Sequence, residues 1–466
     1  MAGAADRLLA STHDQRQQHD DAGHTPAALT FTVKPGPGRA LRAFVMLRSR
    51  RSGAYPSKES DMSDHRKLGR ELELFCSDPL VGAGLPIWLP AGAAARHAVE
   101  DYLYELERQA GYQHVYSPPL GKRELYQRSG HLAHFEADMF PPMAVSDDDE
   151  LVLRPGLCPH HALVFRARQR SWRDLPLRVA ELGGMYRAER SGVLGGLSRV
   201  RAIWLNDAHN FCPLEQAGDE VAAVLALMRQ AHAALGVAPA GFRLSLRGAG
   251  DKYATDPAMW DRAEAMLRDA LRGLGLDYSE AADEAAFYGP KIDVQVVDPV
   301  GRESTLATIQ LDLLQPARFE LSYVDKGGER RRPAMVHRSL VGSMERLFAY
   351  LIEVHEGAFP VWYAPVQVAV LPVDSGQAAQ AAAFARRCVE AGLRAEVAAE
   401  GSLGARVRHA VSRKVPYAAV IGAAEAARDQ VALRLRDGRR LEPVPAAEAA
   451  ALVAGVSAAR SPKLLP

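Results

Sequence analysis

The stretch Arg199–Phe211, RVRAIWLNDAHNF, sets apolar Ala202, Ile203, Trp204 and Leu205 directly before Asn206, Asp207 and His209. Four apolar residues read as a buried strand, and an Asp and a His at its end read as groups held at the rim of a pocket. A core strand running into an ordinary loop would give the same letters. Cys158, in LRPGLCPHH, falls between a strand-like and a helix-like segment. A free cysteine is more often a small buried hydrophobe than a ligand, but the two adjacent histidines raise the odds of a metal. Cys158, His209 and His337 lie 51 and 128 residues apart, so no local ligand spacing joins them. Arg187 and Glu189, in MYRAERSG, are two apart, which on a strand puts both on one face. Arg can grip a phosphate through two hydrogen bonds while Glu accepts from an amine, although a surface ion pair is the commoner outcome. Arg346, in GSMERL, opens a helix behind the small residues Gly342 and Ser343, and a helix N-terminus carrying an Arg suits a polyphosphate.

These residues need elements to position them. HAVEDYLYELERQAG (97–111) has helical spacing and a Gly stop. YQHVYSPPL reads as a strand ended by a proline pair. Strands and helical segments alternate from 151 to 212, and helices are expected over 219–235, 257–275 and 342–357. KIDVQVVD and STLATIQLDL alternate with period two and read as strands. From Val366 the order becomes strand, helix, strand, helix, strand, a compact α/β unit, so a domain boundary is expected near 360. Residues 1–61 are polar or broken by Pro and Gly and read as a poorly ordered extension, with Met62 an equally good start of the organised chain. The three expected segments are thus 1–61, 62–360 and 361–466.

A chain of 466 residues is too long for one core. Its net charge of +1 gives no global basic field, so any polyanion must meet local patches. The four scattered cysteines suggest no disulfide framework and fit a reducing cytoplasm. The sequence shows neither a secretory h-region nor an apolar run long enough to span a membrane.

The segments DHRKLGRELELF, GLPIWLPAGA, SGHLAHFEADMFPPM, LRPGLCPHH, YRAERSGVLGGLSRVR, NDAHNFC, MWDRAEAML, FYGPKID, IQLDL and HRSLVGSMERL occur in this order. Together they resemble the threonyl-tRNA synthetases, class II aminoacyl-tRNA synthetases, over about residues 64–460. The resemblance implies an α+β fold, an antiparallel catalytic sheet flanked by helices and followed by a small α/β anticodon-binding domain, in a homodimer with Pro118 at the interface. It implies threonine–tRNA ligase activity, with threonine activated by ATP and Mg²⁺ and passed to tRNA. By the same resemblance Arg187 meets the α-phosphate, Glu189 the adenine amine, Arg199 or Arg201 the outer phosphates, and Arg346 ATP. Cys158, His209 and His337 match the zinc ligands, with the threonine amino and hydroxyl groups completing the metal. Asp207, Tyr288, Lys291 and Gln310 match residues lining the pocket, Lys291 beside the reacting groups and Gln310 on the ATP side. Glu425 and Arg434 match anticodon-reading positions.

The chain departs from the family pattern around these sites. Gly195 replaces a loop His, Ala202 a Gly, Ile203 an adenine-stacking Phe, Trp204 a Thr, Leu205 a Gln and Gly156 a Met. Trp204 could replace the lost ring only if the strand register shifted. Three readings follow: a working divergent synthetase; an enzyme that activates threonine or a related β-hydroxy amino acid for another acceptor, such as a carrier protein; and a catalytically weak paralogue that binds tRNA. Retention of Glu425 and Arg434 favours the first. Residues 1–61 stand where the family carries its editing domain, so measurable serine activation without editing in cis is expected.

Overall fold

The computed structural model describes residues 64–465 except 148, 251–252 and 254–255. The expected extension and the alternative start at Met62 lie outside the described residues.

Eight strands build the main sheet: β1 (Gln113–His114), β2 (Leu177–Tyr186), β3 (Ala202–Cys212), β4 (Gly241–Ser245), β5 (Tyr278–Ala281), β6 (Lys291–Val297), β7 (Glu303–Asp312) and β8 (Ala334–Ser339). Their order is β5-β4-β6-β7-β8-β3-β2-β1. All neighbours are antiparallel except the outermost pairs β4–β5 and β1–β2. The helices α1 (His65–Glu71), α2 (Pro90–Gln109), α3 (Cys158–Arg166), α4 (Ala217–Leu235), α5 (Pro257–Gly273) and α6 (Met344–Val354) accompany it. One large core joins Val99 and Leu103 of α2, Val221 and Leu225 of α4, Ile309 of β7 and Leu347 and Phe348 of α6. The expected α+β class with a mainly antiparallel sheet is what the chain adopts.

A second sheet, order β10-β9-β11-β12-β13, uses β9 (Val368–Pro372), β10 (Ala395–Val397), β11 (Tyr417–Ile421), β12 (Gln430–Leu435) and β13 (Val444–Pro445). It carries α7 (Ala378–Glu390), α8 (Leu403–Ser412), α9 (Ala423–Ala427) and α10 (Ala446–Ala458). Val368, Val370, Phe384, Tyr417, Leu433 and Val453 form a core of its own.

Three local expectations change. Helix α2 starts at Pro90, not His97, because Pro fits a first turn that needs no N–H from it. The stretch after it pairs with β2 at Gln113–His114; the Val115 N–H still donates to the Ala180 carbonyl, and by Ser117 the backbone N–H turns to the Glu181 carboxylate instead. Arg187 and Glu189 lie beyond β2, which ends at Tyr186; the Arg187 N–H still donates to the Arg201 carbonyl at 3.0 Å, and the chain then leaves the sheet.

Candidate active site

Strand β3 is eleven residues long and inverts the simple reading of its letters. Its apolar start is only partly buried, and Trp204 is 38% exposed. Its polar half, from Asn206 to Cys212, is entirely buried. Alternation explains this. Ile203, Leu205, Asp207 and His209 point into one cavity of about 430 Å³. Ala202 and Trp204 face a separate hollow with Trp88, Arg96 and Glu345. The β2–β3 register is unbroken, so Trp204 does not reach the first cavity; its ring lies 5.6 Å from the Arg96 guanidinium instead.

Register also assembles the distant histidines. Gln310 of β7 pairs with His337 of β8, and His337 pairs with His209 of β3. Cys158, the first residue of α3, closes the group: one ligand atom from each of Cys158, His209 and His337 lies within 4.8 Å of the others, all buried. His209 Nε2 and His337 Nδ1 face each other at 2.9 Å. Behind them, His337 Nε2 meets Asp312 Oδ2 at 2.9 Å, and Asp312 Oδ1 accepts from the Leu314 and Gln315 N–H groups. His209 Nδ1 meets His161 Nδ1 at 2.6 Å, and His161 Nε2 meets Glu181 at 3.2 Å. Such outer partners fix which ring nitrogen is free to ligate. Burial holds His209 well below its usual pKa and so neutral, and pushes the Cys158 thiol up. A buried Cys/His/His set with its outer acceptors in place fits a soft-to-borderline divalent metal. His161, Glu181 and Asp312 were not singled out from sequence; the HH pair was the only signal, and it is His161, not His160, that backs His209.

Beside this group, Asp207 is 8% exposed, and burial raises its pKa to about 6. Tyr288 stacks on His337 with ring centroids 5.1 Å apart, and its hydroxyl donates to Gln310 Oε1. His131, also unclaimed from sequence, lies 3.8 Å from Cys158 Sγ. Gly156 lines the same end, and a Cβ there would stand 3.7 Å from His131 and 3.8 Å from Cys158.

The other end of the cavity is cationic. Arg187, Arg199 and Arg346 line it with Glu189, and Arg199 pairs with Glu189 at 2.8 Å. Burial, then Arg187 and Arg199, lower the pKa of Arg346, the mark of guanidinium groups crowded together. Arg346 sits in the first turn of α6, whose N-cap Ser343 accepts from the Arg346 N–H at 3.1 Å. Gly342 has φ +72°, and a Cβ would lie 2.1 Å from the Leu306 carbonyl, so only Gly allows this close approach.

Two expected residues fall outside the lining. Arg201 donates to the backbone carbonyls of Glu189 and Ala83 and braces the loop, whereas Arg199 lines the cavity. Lys291 shares the Gln310 row and pairs at 2.6 Å with Asp293, which in turn accepts from the lining residue Thr308. In the second sheet, Glu425 uses Oε2 to accept from the Gly422 N–H at 2.9 Å and so caps α9. Arg434 lies half-buried on β12.

A family model described as the tRNA synthetase class II core domain (G, H, P, S and T) matches residues 143–355, and one described as an anticodon binding domain matches 367–455. The structure is similar to one titled the RNA binding domain of threonyl-tRNA synthetase from Cryptosporidium parvum, with a TM-score of 0.80 and 33% identity over 84% of this chain and 98% of that one. The chain belongs to the threonyl-tRNA synthetase family. Among the family's curated members, the threonine–tRNA ligase of Lactiplantibacillus plantarum is 46% identical over 389 residues, 83% of this chain and 60% of the relative. That of Geobacillus kaustophilus is 48% identical over 381 residues, 81% of this chain and 58% of the relative. The chain thus spans about 60% of the length of these synthetases. Among the described residues, no helix is long and apolar enough to cross a membrane.

Proposed function

We propose that the chain is an ATP-dependent threonine–tRNA ligase. The observation that carries this reading is a single cavity with a Cys/His/His metal set at one end and three arginines at the other. Zinc would be held by Cys158, His209 and His337, and when bound supplies open coordination for the amino and hydroxyl groups of threonine. Asp207 accepts a hydrogen bond from the substrate amine, and Tyr288 and Gln310 close the pocket over it. Arg187 binds the α-phosphate, Arg199 and Arg346 the outer phosphates with Mg²⁺, and Glu189 the adenine amine. The threonine carboxylate then attacks the α-phosphorus and pyrophosphate leaves. The guanidinium groups stabilise the charge that builds on the phosphate oxygens, and no protein nucleophile is required.

The second sheet and its helices, from about 361 on, are the anticodon-binding domain, and residues 62–360 the catalytic one. Glu425, with its remaining carboxylate oxygen, and Arg434 read the anticodon. A cytoplasmic homodimer follows by family analogy, with Pro118 at its interface. Charging of a threonine tRNA transcript with labelled threonine tests the assignment. Stable Thr-tRNA is the expected product. Adenylate formation without charging would move the chain to the second reading, an amino-acid-activating enzyme with a different acceptor.

A further inference from the structure

The cavity's cationic end depends on a loop, residues 195–201, that carries Ser198 and Arg199 into it. The loop is a tight turn: the Ser198 N–H donates to the Gly195 carbonyl and the Gly195 N–H to the Arg199 carbonyl. Its middle is held from outside the cavity by His65, at the start of α1. The His65 Nε2 accepts from the Leu197 N–H at 3.1 Å, and its Nδ1 lies 2.7 Å from Glu353 in the last turns of α6. His65 is 6% exposed and Leu197 is fully buried. The two bonds set the tautomer. Nδ1–H donates to the Glu353 carboxylate, and this leaves the lone pair on Nε2 free to accept from Leu197. The loop is pressed onto the ring: Gly196 has φ +57°, and a Cβ there would come within 2.5 Å of His65 Nε2 and 2.6 Å of Arg66 Cγ. The same helix α6 carries Arg346 at its other end, where the guanidinium meets the Ser198 carbonyl at 3.4 Å. One helix therefore grips the loop twice, directly through Arg346 and indirectly through Glu353 and His65.

We propose that His65 is a positioning residue for ATP: it locks the 195–201 loop onto α6 and so fixes Arg199 at the phosphate end of the cavity. This rests on the reading of that end as an ATP site. The ring touches no reacting atom. Its effect passes through one backbone N–H and the turn that follows it.

Two amide replacements separate the two bonds of the ring. In His65→Asn the amide N–H₂ can still donate to Glu353, but the side chain is too short to reach Leu197. In His65→Gln the amide oxygen reaches the place of Nε2 and can accept from Leu197. The clamp predicts slow exchange of the Leu197 amide in the native protein and fast exchange in His65→Asn. It predicts Mg·ATP affinity by calorimetry, and KM for ATP, about tenfold weaker in His65→Asn, the size of one lost buried hydrogen bond. KM for threonine should stay within about twofold, and His65→Gln should recover most of the ATP affinity. The clamp is overturned if Leu197 exchanges freely in the native protein, if both variants bind ATP as the native protein does, or if the two KM values rise together in both. Should the native protein fail to activate threonine, the ligase reading falls, while amide exchange and ATP calorimetry still decide the clamp.

Discussion

Two adjacent residues of β3, Ile203 and Trp204, show how much a single side chain's direction decides. Ile203 lines the cavity and Trp204 does not. Ile203→Phe should lower KM for ATP about two- to tenfold, the range of one added aromatic stack at about 0.5–1.5 kcal/mol. Trp204→Thr should leave that KM within about twofold. It should cost only the cation–π contact with Arg96, about 0.5–1 kcal/mol, readable in a denaturant melt. The opposite pattern would mean that the register of β3 differs in solution. At the metal end, Cys158→Ala should leave essentially no zinc by elemental analysis, against about one per chain in the native protein. Letters alone did not lead to His161 or Asp312, because an outer-shell partner is defined by which nitrogen it faces. Lys291 and Arg201 have partners that sequence does not show either: Lys291 pairs with Asp293, and Arg201 donates to two backbone carbonyls.

Among the elements, helices and long strands were legible from apolar spacing, as at 219–235 and 291–298, because burial of one face imposes the period. The opening strand was only half legible. Asn206, Asp207 and His209 read as a pocket rim or a loop, yet they, with Asn210 after them, continue β3 through the middle of the sheet. What pays for their burial lies on other elements: Asn206 donates to Glu107 of α2 at 2.8 Å and accepts from Arg338 of β8 at 3.2 Å. Asn210 donates to Glu220 of α4 at 2.9 Å. No single-sequence pattern encodes partners that far away. The N-terminus of α6 makes a prediction at this scale. Ser343→Ala removes the N-cap and should cost about 1 kcal/mol. Gly342→Ala should cost more, since it adds a positive φ to a clash with a backbone carbonyl. Both should raise KM for ATP more than KM for threonine, because α6 presents Arg346.

Over the whole molecule, the Cys/His/His set, the cavity's arginines and the second sheet were joined in one expectation only through the order of the motifs. Cys158, His209 and His337 come from α3, β3 and β8, and the sheet order that brings them together is not a local property. If the second sheet reads tRNA, Glu425→Ala with Arg434→Ala should raise KM for tRNA at least about tenfold, two lost polar contacts, and leave threonine activation unchanged. The central claim is that the cavity selects an amino acid by its β-hydroxyl at a metal. Amino-acid-dependent ATP–pyrophosphate exchange with threonine, serine and valine, on zinc-loaded protein without tRNA, tests it most directly. Threonine should support exchange, and serine should follow within about 10–200-fold, since one methyl is a weak handle. Valine should fall about 10⁴-fold or more, because it leaves a polar site unpaired. Exchange with valine as good as with serine, or none with threonine, would contradict the account.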